Sequence, residues 1–395
     1  MRIREDGNRV IVAGGGVAGA ASAIGFRRIG AEVTVYEAYE DPAGPVGSFV
    51  SLSANGLRGL DTLGCLDRVR DAGFALPLQR MWASNGRLLG EVARGRLSAD
   101  PMYSITLWRG RLVEELRKEA VRLGARVVTG ERLVDAERLE AGGVRAAFAG
   151  GRTDEADLLV GADGIRSATR RILDPGAAEP SYGGYYTVPG ISAGGGADLA
   201  PGTFNLTFSR AGAFIAIPVP DGTVWWAAQV AAPDKPDAGI GLDALARLYR
   251  YEEQPSAVLR EARELHRPTA HHLLEDVRVW QRAPMVLVGD AVHPVGAGQG
   301  ASMAIEDPAV LAHAVMSAAS LPEALETYER GRRGRTAKLM KMAGANRESK
   351  TAGPVARRVQ NAVMPLVLRF LYERSTSWLY THELEPLPRV SGRAG

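Results

Sequence analysis

The sequence predicts an α/β fold that combines a doubly wound parallel sheet, an inserted antiparallel sheet and a C-terminal helical segment. Three observations support this prediction. An apolar stretch at residues 9–13 leads into a cluster of glycines and then into a helical pattern. Two similar strand–turn–helix stretches follow at residues 157–173 and 284–312. Between them, residues 203–209 alternate apolar and polar side chains as a strand of a partly buried sheet does, and AFIAIPV, the turn PDG and TVWWAAQV predict a hairpin.

The composition is that of an ordinary globular protein and argues against several classes. The chain has 395 residues, 46% of them hydrophobic and 24% charged, with a formal net charge of +3. This length is enough for two or three subdomains, and the small net charge gives no reason to expect nucleic acid. No run of about 18 apolar residues occurs, so we expect no membrane span. The single cysteine, Cys65, and an N-terminus without an apolar signal region predict a cytoplasmic location.

The chain begins with the elements of a dinucleotide-binding unit. Residues 9–13 are predicted to form a buried strand, residues 17–29 a helix that ends at Gly30, and residues 32–36 a second strand. A strand, a glycine turn, a helix and a strand within about 30 residues are typical of dinucleotide-binding domains. The unit therefore predicts a bound dinucleotide, without distinguishing FAD from NAD.

Each glycine of the turn has a predicted role. Gly14 permits the tight turn, Gly16 lets a pyrophosphate approach the main chain, and Gly19 lets the helix pack closely on the strand. The first amides of the helix and the positive end of its dipole then face the phosphate. Glu37 ends the second strand, where a carboxylate accepts a hydrogen bond from a ribose hydroxyl.

Two later stretches repeat this pattern. In residues 157–173 a strand runs into Asp163, and in residues 284–312 a strand ends at Asp290, after which residues 298–300 open a helix. A carboxylate at a strand end can bind a ribityl or ribose hydroxyl, and a glycine-rich helix start can stabilise an anionic ring edge. A plain strand–turn–helix unit without a ligand is the alternative interpretation.

Together these motifs resemble the class A flavoprotein monooxygenases, the family of p-hydroxybenzoate hydroxylase. The resemblance extends over most of residues 10–310, with the motifs in the family's order. They are the glycine motif with Glu37, ANGLRGLDTLG at 54–64, WRGRLVEEL at 108–116, GADGIRSATR at 161–170, and GDAVHP with GQGASMAIED at 289–307. The resemblance implies a FAD-binding doubly wound (Rossmann-like) domain, an inserted antiparallel-sheet substrate domain and a C-terminal helical segment.

The resemblance also implies FAD as cofactor and a set of residues that bind it. Glu37 is expected to bind the adenosine ribose, and Arg109 to reach the flavin side. Asp163 belongs to a motif near both FAD and NAD(P)H, and Asp290 is expected to bind the ribityl or phosphate region. The full expected set is Gly14, Gly16, Val17, Ala18, Gly19, Glu37, Ala38, Ser48, Ser51, Arg109, Asp163, Asp290, Gly298, Gly300 and Ala301. The histidines show no metal-binding spacing, so no metal is expected.

If the motifs form one flavin site, the FAD domain is discontinuous. The predicted limits are 1–72, 98–180 and 276–350 for the FAD domain, 73–97 and 181–275 for the substrate domain, and 351–395 for C-terminal helices. One face of the substrate sheet should cover the flavin, and the substrate cavity should lie between the two domains.

The predicted cavity is largely apolar. Residues 211–220 carry no charge, which argues against a carboxylate-binding arginine on that strand. Because neighbouring residues of a strand face opposite ways, only one of Trp225 and Trp226 can point at the flavin. Plain core packing is the alternative interpretation of these aromatic residues. The candidate substrate residues are Phe204, Phe214, Trp225, Trp226 and Pro294.

Three further features carry predictions. Arg109 is expected on a loop before an amphipathic helix at residues 111–123. The basic run at residues 328–342 is predicted to be a solvated helix rather than a surface for anionic partners. His293 follows the second strand-end acid, and it has either a structural role or a role as proton relay.

The function that the resemblance implies is monooxygenation. NAD(P)H, as NADPH or NADH, reduces FAD, O₂ adds at flavin C4a, and the hydroperoxide transfers oxygen to an apolar aromatic or polycyclic small molecule by hydroxylation or epoxidation. Two alternatives stay open: a flavin-dependent reductase of isoprenoid double bonds, and a FAD-binding protein whose flavin is redox-inert. A halogenase is disfavoured because the sequence TVWWAAQV at 223–230 lacks the WxWxIP signature. The oligomeric state is left open.

Overall fold

The computed structural model describes residues 8–40, 48–235, 240–274, 276–295, 298–350 and 353–388. Its strands are β1 (Arg9–Ala13), β2 (Glu32–Tyr36), β3 (Phe49–Leu52), β4 (Phe74–Ala75), β5 (Leu78–Ala83), β6 (Leu88–Ala93), β7 (Ile105–Trp108), β8 (Arg126–Val128), β9 (Leu133–Arg138), β10 (Val144–Phe148), β11 (Thr153–Ala156), β12 (Leu158–Gly161), β13 (Ser181–Ala193), β14 (Thr203–Phe208), β15 (Gly212–Pro218), β16 (Thr223–Ala231), β17 (Ala262–Leu265), β18 (Thr269–Leu273), β19 (Gln281–Arg282) and β20 (Met285–Leu287). Its α-helices are α1 (Val17–Arg28), α2 (Ala54–Thr62), α3 (Leu66–Asp71), α4 (Arg109–Arg122), α5 (Ala168–Leu173), α6 (Leu242–Leu248), α7 (Glu253–Arg260), α8 (Gly300–Ser317), α9 (Leu321–Lys350), α10 (Pro354–Phe370) and α11 (Tyr372–Tyr380).

The first sheet has the strand order β19-β20-β12-β1-β2-β8. Its strands are parallel except for β19, which pairs antiparallel with β20. One hydrophobic core joins this sheet to α1, α4, α8 and the small antiparallel sheet β9-β10-β11. Apolar strands buried on both faces are typical of parallel sheets with covering layers. The predicted doubly wound parallel sheet is confirmed.

The first strand, helix and strand of the chain have the predicted order. β1 and β2 have the predicted limits, and α1 ends at Arg28, two residues before Gly30. Gly30 has a φ of +86°, a left-handed conformation that glycine adopts without a steric cost. The chain can therefore reverse at once after α1 and enter β2 beside β1.

The second large sheet has the order β17-β13-β16-β15-β14-β5-β6, with β18 also paired to β13. Its pairs are antiparallel except for the parallel pair of β5 and β14. The predicted hairpin is present as β15 and β16. Since its strands come from residues 78–93 and 181–273, we propose a domain division that follows the two large sheets.

The two faces of this second sheet bury different cores. Phe204, Leu206 and Ile215 belong to one core, which also contains Leu368 of α10. Phe214 and Trp226 belong to the core on the other face, which α6 and α7 complete. Neighbouring strand residues thus separate onto opposite faces, as the pleat requires.

The C-terminal segment is helical, as predicted. Leu379 and Tyr380 of α11 share a small core with Met303 of α8 and Leu339 of α9. α10 packs on β6 of the second sheet. In the part of the chain that the structure describes, no helix combines the length and the apolar character needed to cross a membrane.

Candidate cofactor site

Four neighbouring parallel strands of the first sheet end at one edge. β20, β12, β1 and β2 lie side by side, and they lead into Asp290, Asp163, the turn at residues 14–16 and Glu37. Because the carboxyl ends of parallel strands share an edge, the fold brings the three acids and the glycine turn together in a row. Open α/β sheets bind their ligands outside this edge. We call this set of residues the cofactor edge.

The three glycines of the turn differ in their surroundings. Gly14 has a φ of +101°, and a Cβ there would lie 2.4 Å from the carbonyl oxygen of Ala162. A Cβ on Gly19 would lie 1.8 Å from the carbonyl oxygen of Gly14, whereas one on Gly16 would meet no described atom within 4 Å. Two glycines are therefore required by close packing, while Gly16 faces open space.

The start of α1 has the properties of an anion-binding site. Gly16 is its N-cap residue, no side chain caps the helix, and its first turn contains no acid. The first amides of a helix lack partners within the helix and carry the positive end of its dipole. With Val17 and Ala18 in the first turn, these amides lie beside the open surface at Gly16, which suits a pyrophosphate.

Glu37 is held against the glycine turn. Its side chain is buried, and its Oε2 accepts a hydrogen bond of 2.6 Å from the amide of Gly15. Its Oε1 accepts a hydrogen bond from the amide of Tyr39 at 3.0 Å. A carboxylate has about four acceptor positions, so capacity remains for a ribose hydroxyl. Ala38 lies between Glu37 and Tyr39 at the same strand end.

Asp163 organises the edge through protein contacts. It accepts hydrogen bonds from Ser167 Oγ at 2.5 Å and from the amide of Thr169 at 3.0 Å, which fixes the start of α5. The buried guanidinium of Arg170 in α5 donates to the carbonyl oxygen of Ala291 at 2.9 Å. The motif that contains Asp163 is thereby joined to the turn that contains Asp290. Asp163 thus has a positioning role in the described contacts.

The Asp290 residue is exposed to solvent, but many protein atoms surround its carboxyl group. Desolvation by that protein raises the pKa of the Asp290 carboxyl, while His293 and Arg109 lower it. Arg109 is the first residue of α4, so the expectation that it lies on a loop before the helix is wrong. The amide of Arg109 donates a hydrogen bond of 3.0 Å to the carbonyl oxygen of Ser48. This amide therefore needs no partner within the helix, and the helix can begin at Arg109.

The start of α8 completes the site. A Cβ on Gly300 would lie 3.8 Å from Asp290 Oδ1, so this helix begins beside that acid, with Ala301 as its second residue. Gly298 has a φ of +129°, and a Cβ there would meet no described atom within 4 Å. As in α1, no side chain caps α8 and its first turn contains no acid. A second uncapped helix start therefore points toward the cofactor edge.

Further contacts fix the loop before α8 and strand β3. Gln299 Nε2 donates to Ser53 Oγ at 2.9 Å, which ties the loop to the residue after β3. Within β3, the hydroxyl of Ser51 lies 2.8 Å from that of Thr106 in β7. Of the predicted residues, Ser51 lies in the strand that supports the loop and Ser48 directly precedes that strand.

A buried network of charges lies behind the site. His293 Nε2 is 2.5 Å from Asp307 Oδ2, and Arg332 donates to Asp307 at 2.7 Å and to Glu306 at 2.6 Å. Arg335 donates to Glu306 at 2.8 Å. Burial alone raises the pKa of Glu306, but the two arginines outweigh it and lower that pKa to about 2. Burial also opposes ionisation of Asp307, and His293 and Arg332 hold its pKa well below the ordinary value.

This network corrects the prediction for the basic run at residues 328–342. Lys338 and Lys341 are exposed, but Arg332 is only 1% exposed and serves as counter-ion to the acids of α8. The prediction of a solvated helix is therefore wrong for this side of α9. His293 has a structural contact to Asp307, and its Nδ1 has no hydrogen-bond partner among the described residues, so a proton-relay role stays a prediction.

An aromatic cluster joins the second large sheet to a small antiparallel sheet with the order β3-β7-β4. The ring of Trp225 lies 4.4 Å from that of Trp108, 5.4 Å from that of Phe74 and 6.3 Å from that of Phe49. Trp108 directly precedes Arg109, the first residue of α4. Trp225 is the tryptophan on the face of the second sheet that contacts the small sheet, and we call these four residues the aromatic junction.

Two of the candidate substrate residues lie elsewhere. Phe214 and Trp226 are fully buried, with their rings stacked at 5.8 Å under α6 and α7. The pleat turns them to the face opposite Trp225, so we remove them from the candidate substrate set. Phe204 lies in the core on the Trp225 side, and Pro294 directly follows His293 beside the cofactor edge.

Arg94 is an arginine inside this region that sequence analysis missed. Its guanidinium lies 3.8 Å above the ring of Phe204 and donates to the neutral Gln79 Oε1 at 2.6 Å. Its Nε is buried without a hydrogen-bond partner, and no carboxylate among the described residues forms an ion pair with it. Burial lowers the pKa of Arg94, because no anion compensates for the lost hydration.

The residues that were missed differ in how visible they are in the sequence. Trp108 stands in the motif WRGRLVEEL, directly before the arginine that was chosen. Phe49, Phe74 and Arg94 belong to no motif, and only the pairing of strands far apart in the chain brings them together.

The fold and the cofactor edge define a flavoenzyme of the dinucleotide-binding class. The chain belongs to the FAD binding domain family, which matches residues 8–343. It is similar to aurachin C monooxygenase/isomerase of Stigmatella aurantiaca, with 31% identity over 82% of this chain and 84% of that protein. It is also similar to 3-amino-4-hydroxybenzoate 2-monooxygenase PtnB3 of Streptomyces platensis, with 30% identity over 96% and 97% of the two chains.

The fold is also found in solved structures. The crystal structure of Klebsiella pneumoniae HpxO complexed with FAD and uric acid matches with a TM-score of 0.81 and 23% identity, over 94% of this chain and 97% of that chain. The predicted membership of the class A FAD-dependent monooxygenases is confirmed. The chain is a FAD-dependent monooxygenase, and FAD is its cofactor.

Proposed function

We propose that this enzyme uses NAD(P)H and O₂ to hydroxylate or epoxidise an apolar aromatic or polycyclic small molecule. In the hydroxylation, one oxygen atom of O₂ replaces a C–H bond with C–OH. The other oxygen leaves as water, and NAD(P)H with one proton supplies the two electrons and the hydrogens. The bound FAD supplies the activation of O₂ in such a reaction.

The residues of the cofactor edge suit FAD. Gly16 and the first turn of α1 provide space and amides for the pyrophosphate, and Glu37 provides an acceptor for the adenosine ribose. On the flavin side, we propose that Asp290 accepts from the ribityl chain and that Arg109 lies near the ring. The start of α8 at Gly300 offers amides to the ring edge that becomes anionic on reduction.

The observation that carries the substrate proposal is the aromatic junction. Trp108 and Trp225 come from different sheets, and their rings lie 4.4 Å apart directly beside Arg109. Aromatic rings bind flat apolar molecules by shape and stacking. A substrate held there would lie between the cofactor edge and the second sheet. One relative is named for 3-amino-4-hydroxybenzoate, an aromatic acid.

Arg94 favours a substrate with one acidic group. Arg94 is partly buried, and a desolvated cation without a carboxylate partner is costly, whereas an anionic ligand group removes that cost. Its position above Phe204 places the charge at the rim of the same apolar face. We therefore propose an aromatic body stacked at the aromatic junction, with a carboxylate or a similar anionic group directed to Arg94.

The alternatives are a reductase of isoprenoid double bonds and a protein with a redox-inert flavin. The cluster of aromatic rings favours an aromatic substrate over an isoprenoid chain. We also propose a cytoplasmic setting without a nucleic-acid partner, supported by the buried free thiol of Cys65 and the small net charge.

The test uses the purified protein loaded with FAD, which should be yellow and should hold the flavin without a covalent bond. Oxidation of NADPH and of NADH is followed by absorbance, and O₂ uptake with an oxygen electrode, in the presence of naphthol or the corresponding hydroxynaphthoate. Isotopically labelled O₂ should leave one labelled oxygen in the product. Consumption of NAD(P)H without O₂ uptake would support the reductase, and no reduction of the flavin by either nucleotide would support a redox-inert flavin.

Arg94→Met separates the two parts of the substrate proposal. The KM for hydroxynaphthoate should rise about tenfold or more, the worth of a charge-assisted hydrogen bond, while naphthol turnover is unchanged. Arg80→Met is the matched control, because Arg80 pairs with Glu91 at the surface. An equal loss for both compounds would contradict a role of Arg94 in binding the acidic group.

A further inference from the structure

Among the residues that the structure describes, only one side of helix α10 is covered. Leu368 is buried in the core of the second sheet, and Met364 packs against the same core. The carbonyl oxygen of Asn361 accepts a hydrogen bond of 2.6 Å from Arg87. These contacts fix which side of α10 faces the protein, so the exposure of the opposite side follows from the fold.

The uncovered side of α10 is an apolar stripe. At about 100° per residue, its five large side chains fall within an arc of about 80°, opposite Met364 and Leu368. They are Val355 (74% exposed), Val359 (60%), Val363 (47%), Leu366 (60%) and Phe370 (64%). Single exposed apolar residues are normal in proteins, but five on one helix face mark an interaction surface.

The charges of α10 are of one sign. The helix contains no Asp or Glu. Arg358 and Arg369 are exposed, and their helical positions put both on the same flank of the apolar stripe. An apolar stripe bordered by arginines is the pattern of helices that lie in the interface of a membrane, with the apolar face among the acyl chains and the cations at the head groups.

A second copy of the chain is a poorer match for this surface. Two apposed α10 helices would bring arginines together without an acid on either helix to pair with them. A stable protein interface also uses about 20–30 residues a side, far more than the stripe supplies. Anionic lipid head groups, in contrast, complement the arginines, and a fluid acyl layer accepts a narrow stripe.

We propose that α10 docks this enzyme on the surface of a membrane that contains anionic lipids. The stripe enters the head-group region, and Arg358 and Arg369 pair with lipid phosphates. Since no helix in the described ranges can cross a membrane, the association is peripheral and reversible.

The test is sedimentation of the full-length FAD-loaded enzyme with vesicles. Vesicles of one part phosphatidylglycerol to three parts phosphatidylcholine should carry the enzyme down at low salt, and pure phosphatidylcholine should not. High salt should release it, because surface charges are screened. Replacing Arg358 and Arg369 by Gln should lower the partition coefficient of the enzyme between vesicles and buffer by about fivefold for each arginine.

The double variant V363E/L366E tests the stripe itself. Both side chains are exposed, so folding and flavin content should be unchanged while vesicle binding is lost. V121E and V134E are matched controls, because Val121 and Val134 are exposed to 54% and 52% on other elements. Equal vesicle binding by all variants, or no binding by the wild type, overturns the proposal. A dimer in sedimentation equilibrium that V363E/L366E abolishes also overturns it, and assigns the stripe to self-association.

Discussion

At the cofactor edge, the groups proposed to contact the ligand are main-chain amides and acids at strand ends. At the aromatic junction the proposed groups are side chains from two sheets, and the pleat decides which face each side chain lies on. The difference is clearest in two neighbouring pairs. Gly16 faces open space three residues before the closely packed Gly19, and Trp225 faces Trp108 while Trp226 is buried on the other side. In each pair, one residue is proposed to serve binding and the other serves packing, so paired variants separate the two roles.

The largest expected effect lies behind the cofactor edge. Arg332→Met leaves Glu306 and Asp307 buried without their shared arginine, which should cost about 3–5 kcal/mol of unfolding free energy. Urea unfolding measures this loss. Arg330→Met is the control. Arg330 lies two residues before Arg332 on the same helix but is exposed, so its replacement should change the stability little. Equal midpoints for the two variants would show that the network contributes no stability.

The same network predicts a pH dependence. The pKa of Glu306 falls from its ordinary 4.5 to about 2 in the folded protein, so the unfolded chain binds the proton more readily. The stability contributed by Glu306 is therefore complete above about pH 4.5 and is lost as the pH falls toward 2. The wild type should lose more stability in this window than Arg332→Met does, because the variant has less of the charge pairing to lose.

The tryptophan pair gives the next effect. Trp226→Ala should cost about 3–5 kcal/mol of stability, because it empties a closed core, yet the folded fraction should couple NAD(P)H oxidation to product as before. Trp225→Ala should instead release peroxide, since the substrate loses its stacking partner beside Trp108. Thermal unfolding and peroxide assays measure the two readouts. If both variants lose only thermal stability, the aromatic junction is packing and the substrate binds elsewhere.

The glycine pair gives a smaller effect of the same kind. Gly19→Ala puts a methyl group against the carbonyl oxygen of Gly14 and should cost about 1–3 kcal/mol of stability, or more. Gly16→Ala has room for its methyl group, so the stability of the apo-protein should change by less than about 0.5 kcal/mol. Its affinity for FAD should still fall, because the methyl group occupies the pyrophosphate space. Unchanged FAD affinity in fluorescence titration of Gly16→Ala would move the pyrophosphate away from this turn.

The two regions also differ in how far the sequence predicted them. Gly14, Gly16 and Glu37 could be chosen from spacing, because strand, turn and helix follow one another and the fold only has to align them. Arg94 and Phe49 could not be chosen, since each meets its neighbours through strands that are distant in the chain. The alternation of β16 predicted that its tryptophans separate, but only the packing of α6 and α7 decided which one lies at the aromatic junction. The basic run was misjudged because its charge pattern does not reveal that α8 supplies buried acids.

The smallest expected effect concerns Asp290, whose replacement should change the stability of the apo-protein and the affinity for FAD in different ways. Desolvation raises the pKa of Asp290 in the folded protein, so the unfolded chain holds its charge more easily. Ionised Asp290 therefore destabilises the apo-protein as the pH rises above its ordinary pKa of 3.8. Asp290→Asn should raise the melting temperature of the apo-protein at neutral pH, and the gain should vanish as the pH falls toward 3.8.

The same variant should bind FAD less well, by about 1–3 kcal/mol, because the hydroxyl that Asp290 would accept from loses its charged partner. Asp163→Asn is the matched control. Its carboxylate already accepts from Ser167 and Thr169, so its loss should lower the stability of the apo-protein rather than raise it. Melting curves and FAD titrations give a melting temperature and an FAD affinity for each of the two variants. An Asp290→Asn protein that is less stable and binds FAD unchanged would show that Asp290 belongs to the scaffold, as Asp163 does, and not to the ligand.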